Sequence, residues 1–175
     1  QQVALSPDPD GVYELMSRCL GGGDSVDQVG VTLLNDAWAL VKDVPPFASS
    51  KAEWKARMRA LSPLHPLAAF ALPRLAARLG QNERTLFSFL LSDEPHSLGA
   101  FHRRTNTTGL RSLLGLDWLC DYFLLNHTSA FVALRFRHRL AQLTYALEQL
   151  GGTESLSAKI VKTLGLIELL ESPDL

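Results

Sequence analysis

The residues able to do chemistry are scattered along this 175-residue chain. Histidines stand at positions 65, 96, 102, 127 and 138, and cysteines at 19 and 120. A hydrolytic triad needs a nucleophile, a base and an orienting group within hydrogen-bond reach, and scattered His, Ser and Asp do not specify one. His96 and His102 lack the i,i+4 spacing and the carboxylate company of a helical metal site, so they read as surface histidines. Cys19 and Cys120 sit in separate apolar patterns, with no Cys-x-x-Cys pair, and read as small buried hydrophobes. Gly21-Gly22-Gly23 has neither the Lys-Ser/Thr pair nor the preceding strand of a phosphate loop and reads as a linker. Asp93-Glu94 fall in a turn, and nothing in the sequence marks either as a general acid. The sequence assigns no catalytic residue and no metal ligand, and a standalone enzyme is the least favoured class.

What does recur is arginine. Residues 51–139 hold thirteen Lys/Arg against six Asp/Glu, a surplus of seven positive charges within a chain whose net charge is −1. The flanks are therefore acidic. They can neutralise the middle within the fold or leave a basic face for a partner. Arg135, Arg137 and Arg139 form the densest cluster, and Arg103 and Arg104 a second. These five are the candidates for contacts with nucleic-acid phosphates. Basic and aromatic residues interleaved on a helix are also common where helices pack, so the cluster alone does not decide.

The elements that must position these residues read as helices. Leucine is frequent and β-branched residues are sparse. The expected fold is all-α, an irregular helical bundle of about seven to nine helices with no sheet, over a single domain spanning 1–175. Its centre is a helix pair at 65–92. Pro66 suits the first helical position, and Leu67, Phe70, Ala71, Leu75 and Leu79 make an apolar stripe. Pro73 interrupts that stripe, and Gly80 ends it. Asn82 can cap the second helix, whose Leu86, Phe87, Phe89, Leu90 and Leu91 predict the most buried helix of the domain. Between the two lies a polar corner, Gln81-Asn82-Glu83-Arg84. There Arg84 can latch onto Glu83, Asp93 or Glu94, or face an anionic ligand; the latch is the simpler reading.

Elsewhere, Ser49-Ser50 caps a helix from 51 to 61, and Pro45-Pro46 stops the helix before it. Residues 96–115 lack a clear period and predict a loop with short helical turns. Residues 116–127 predict one amphipathic helix, and 130–150 the longest helix. In the last helix, capped by Thr153, the expected core face is Leu156, Ile160, Val161, Leu164 and Ile167. No apolar run is long enough to span a bilayer. The unpaired cysteines suit a reducing cytoplasm. Gln at position 1 suggests a piece of a longer or processed protein.

The central stretch from Leu64-His65-Pro66-Leu67 through Gln81-Asn82-Glu83-Arg84 to Leu90, with Trp118–Phe123 and Lys159–Ile167 in the same order, resembles a helical region of large bacterial P-loop ATP-binding proteins. In those proteins it follows the nucleotide-binding core. Its Gln-Asn-Glu-Arg core is the most specific part. It implies a non-catalytic lid or coupling module of an AAA-like or STAND-like ATPase, making interdomain or protein–protein contacts. Asn82, Glu83 and Arg84 would then face a nucleotide or a neighbouring domain. This segment would bind no cofactor of its own, ATP and Mg belonging to the parent protein. The partner would be the neighbouring ATPase domain or another protein. The alternative is a nucleic-acid-binding helical module using the basic middle of the chain. A small-molecule enzyme or sensor would require a deep pocket between helices.

Overall fold

The computed structural model describes residues 9–20, 28–42, 50–78, 82–108, 113–126, 136–152 and 154–171. The expectations placed on Gly21–Gly23, Pro45-Pro46, Leu79 to Gln81, Arg135 and Thr153 lie outside these residues, as do the side chains of Asn82, Glu83 and Arg84. Among the described residues the fold is all-α. The helices are α1 (Pro9–Leu20), α2 (Gln28–Val41), α3 (Lys51–Ala60), α4 (Pro66–Arg78), α5 (Asn82–Leu91), α6 (Leu98–Thr108), α7 (Leu116–Cys120), α8 (Arg137–Gln149) and α9 (Leu156–Glu171). A π-helical segment, Asp121–Asn126, continues α7. No strand occurs among the described residues. The chain divides into two compact units, Gln1–Ala69 and Phe70–Leu175, the division falling inside α4.

In the first unit α3 packs against α1 and α2. Its start is fixed by a capping box. The Ser50 hydroxyl accepts from Glu53 N at 3.2 Å, and Glu53 Oε2 accepts from Ser50 N at 3.0 Å. These bonds, the side-chain one first, hold the Glu53 carboxyl below its usual range. Trp54 and Met58, four apart on one face, are buried. The Trp54 ring lies 5.6 Å from that of Trp38, and Arg57 stands over Tyr13 at 5.6 Å. At the head of α4, His65 Nδ1 accepts from Leu67 N at 3.1 Å, so the ring must be neutral at that nitrogen. Burial also pushes the His65 pKa down.

The second unit is built on α9, which packs against α7 on one side and α8 on another, while α5 packs on α6. Phe89 is fully buried. Its ring lies 5.0 Å from Tyr122, edge on, and 5.8 Å from Phe123. Asp121, Tyr122, Phe123 and Leu124 are four consecutive buried residues. Four in a row point to nearly all sides of a helix, so this segment is enclosed rather than half-immersed.

Four expectations are corrected. Residues 98–108 form a regular helix instead of a loop. The Ser97 hydroxyl accepts from Ala100 N at 3.3 Å, and Leu98 and Phe101 supply an i,i+3 pair of buried residues. The 116–127 helix changes from α to π at Asp121. α5 is not wholly enclosed, since Leu91 is 65% exposed, whereas Ala68, Ala69, Ala71, Leu72, Leu75 and Ala76 of α4 are all buried. The fourth correction is the largest. α9 turns the opposite face inward from the one expected: Ala158, Lys162, Leu166 and Leu169 are buried. Leu156, Ile160 and Leu164 are 75%, 50% and 60% exposed.

Candidate functional site

The inversion of α9 has a chemical cause. Lys162, only 2% exposed, sends its ammonium into the second unit, where Nζ donates to Asp121 Oδ2 at 2.8 Å. Asp121 opens the π-helical segment. The wider π turn is a local departure from α geometry of the kind often found at functional positions. Burial raises the Asp121 pKa, against the opposing pull of Lys162. An isolated buried charge costs several kcal/mol, so each partner holds the other in place.

His96 and Glu154 bear electrostatically on Asp121, and the polar side chains of the neighbouring segments make their own contacts. The Tyr122 hydroxyl donates to Glu94 Oε2 at 2.8 Å, and burial, then this bond, raises the Tyr122 pKa. Ser92 Oγ donates to the same oxygen at 3.2 Å. His96 adopts a left-handed backbone (φ 60°), and its ring lies 5.1 Å from that of Trp118. The Trp118 indole N–H donates to the Ser97 carbonyl at 3.4 Å. Arg104 sits 5.5 Å above Trp118 and pairs with Glu154 at 2.6 Å, which holds the Glu154 carboxyl below its usual range. Cys120, next to Asp121, is buried, and desolvation pushes its pKa up to about 12. It is therefore a thiol at neutral pH, neither a nucleophile nor a ready metal ligand.

The sequence-derived candidates fall into three groups. Asn82, Glu83 and Arg84 open α5. Arg103 pairs with Asp93 and Arg104 with Glu154. Arg139 Nη1 donates to the Glu168 carbonyl at 2.9 Å, and Arg137 is exposed in the first turn of α8. Arg78 donates to the Leu170 carbonyl at 3.3 Å. Arg78 and Arg139 thus both serve carbonyls in the last turn of α9, where a helix leaves acceptors without intrahelical partners. Asp121 and Lys162 were missed. The available signal was one charge of each sign in the middle of a strongly apolar run, WLCDYFLL and KIVKTLGL.

The arrangement can support structure more readily than turnover. The Asp121–Lys162 pair is closed to solvent. A shallow recess of about 220 Å³ lies between α8 and α9, lined by Leu140, Leu143, Val161 and Leu164, with Arg139 and Glu168 at its rim. That is smaller than the usual small-molecule site. Among the described residues no group of His, Cys, Asp and Glu is placed to hold a metal ion. None of their helices is long and apolar enough to cross a membrane. In comparisons with protein families, curated proteins and solved structures, no family model, protein or structure matches the chain.

Proposed function

We propose that this chain is a non-catalytic helical coupling module whose work is protein–protein contact. The observation that carries this reading is the orientation of α9. A buried Lys162–Asp121 pair holds the helix with three large apolar side chains facing solvent. An apolar face of this kind, on a helix anchored by its opposite side, suits a protein contact. The resemblance of residues 64–90 supports a wider setting. In it the module follows the nucleotide-binding core of a bacterial ATPase, and Asn82, Glu83 and Arg84 face that neighbour. The free thiols of Cys19 and Cys120 suit a cytoplasmic location.

The test is ATP turnover by a P-loop domain encoded upstream in the same reading frame, with and without this segment. The segment alone should neither bind nor hydrolyse ATP. Joined to the P-loop domain it should change the turnover rate, and Arg84→Ala should abolish that change. Hydrolysis by the segment alone, or a rate indifferent to its presence, removes the reading.

The nucleic-acid reading stands second. Its motivation is the basic middle of the chain, but the structure engages Arg103, Arg104 and Arg139 with Asp93, Glu154 and the Glu168 carbonyl. Breaking those bonds would offset part of any gain from phosphate contacts. Affinity for duplex or single-stranded nucleic acid that falls steeply with salt would restore it.

A further inference from the structure

We infer that the recess between α8 and α9 is a binding site for a small apolar α-amino acid of the size and shape of leucine. This goes beyond the coupling-module reading and does not rest on it.

The two helices run in opposite directions along the recess. Gly165 of α9 faces Leu143 of α8, and Glu168 of α9 lies beside Arg139 of α8. Leu124, Leu143 and Leu169, all buried, give the recess an apolar floor. Leu164, 60% exposed, stands at its lip. Gly165 lines it without a side chain, which helps to keep it open. Its volume is about 220 Å³. That lies below the roughly 300 Å³ at which sites for drug-sized ligands begin, so it suits a molecule of about ten non-hydrogen atoms or fewer.

The charged rim selects the ligand. Arg139 and Glu168 border the same opening, with Arg139 Nε 3.9 Å from Glu168 Oε1. That separation is too long for a hydrogen bond, so a ligand can engage both charges without breaking one between them. Arg139 donates once, to the Glu168 carbonyl at 2.9 Å, and a guanidinium has further donors to offer. A carboxylate can therefore take the guanidinium while an adjacent ammonium takes the Glu168 carboxylate. An apolar acid without the ammonium would set its carboxylate beside Glu168. An apolar amine without the carboxylate would set its charge beside Arg139. An α-amino acid carries both groups on one carbon and meets both signs at once. The backbone favours the same orientation. Arg139 lies in the first turn of α8, where the helix dipole attracts an anion, and Glu168 in the last turn of α9, where it attracts a cation. The side chain then enters the apolar floor, where leucine replaces water against leucine and valine.

Amide NMR of the chain titrated with L-leucine tests the site. The expected result is saturable shifts centred on Leu143, Val161 and Gly165. Isocaproate and isoamylamine, which each lack one charged group of leucine, should bind at least about tenfold more weakly, the loss expected for one charged hydrogen bond. Glycine, without the apolar side chain, should also bind more weakly than leucine. Glu168→Gln, at an exposed position, should weaken leucine by at least about tenfold while leaving isocaproate unweakened. Val161→Phe should fill the recess and remove binding, with circular dichroism unchanged. If that variant misfolds, Glu168→Gln still decides. Shifts that never saturate, shifts centred away from Leu143 and Gly165, isocaproate or isoamylamine binding as tightly as leucine, or an unchanged affinity in Glu168→Gln would each overturn the site. The coupling-module reading would stand through any of these, since it is judged by ATP turnover.

Discussion

Lys162 and Asp121 are 41 positions apart in sequence and 2.8 Å apart in space, one on α9 and the other at the start of the π-helical segment. Both lie in the interior, Lys162 2% and Asp121 7% exposed. Lys162→Met should therefore destabilise the protein by about 3–5 kcal/mol, because it strands a buried carboxylate. The double variant Lys162→Met/Asp121→Leu should lose much less than the sum of the single losses. Urea unfolding of the four proteins measures the coupling. Additive losses would show that the pair is not a unit.

Gly165 sits where a Cβ would come within 3.0 Å of Leu143 Cδ1. The neighbour is the tip of a flexible side chain, and Leu143 borders the open recess between α8 and α9, so it has room to turn. Alanine is favoured over glycine inside a helix by up to about 1 kcal/mol. Gly165→Ala should be stabilising by less than that amount, whereas Gly165→Leu should be destabilising. Thermal melts that order the two the other way would refute the packing described.

His65 gives stability a sign in pH. Its folded pKa lies below the ordinary 6.5, so the unfolded chain takes up the proton first. The contribution is present above pH about 6.5 and is lost as pH falls through the folded value. Protonation also removes the acceptor that receives the Leu67 N–H. His65→Asn keeps a capping acceptor without a titration. Its melting temperature should fall less than that of the wild type between pH 7 and pH 5. Parallel pH profiles would exclude the role.

The two thiols should differ in reactivity. Cys120 is fully buried, with its pKa pushed up to about 12, whereas Cys19 is partly exposed. In the folded protein at mildly alkaline pH a maleimide reagent should modify Cys19 alone, and Cys120 should react only on unfolding. Mass spectrometry of the labelled peptides decides it.

Local signals were readable where the cause was local. Pro66 marked the start of α4, and Ser50 marked the start of α3. In both cases the determining atoms lie within a few residues. The 98–108 helix was obscured because Arg103, Arg104 and the threonines mask its buried Leu98 and Phe101. The facing of α9 was not readable at all from periodicity. A helix apolar on every side gives no direction, and the choice is made by Asp121, from a distant part of the chain. Of the candidate site, the basic residues were visible as a cluster. Their acid and carbonyl partners were not, because Arg104–Glu154 and Arg139–Glu168 join segments 50 and 29 residues apart.

The π-helical segment also limits how this chain can change length. A π turn closes its hydrogen bond one residue later than an α turn. Deleting a single residue between 121 and 126 would let an ordinary α-helix form. The residues beyond the cut would keep nearly the same facing, because the deletion removes the extra residue of the wider turn, while those inside the segment would change the side they present. Phe123 would then leave the position it now fills beside Phe89, or Asp121 would swing away from α9. A one-residue gap here is thus a repacking within one wall of the core, while the same gap in a regular α-helix would turn everything beyond it by about 100°.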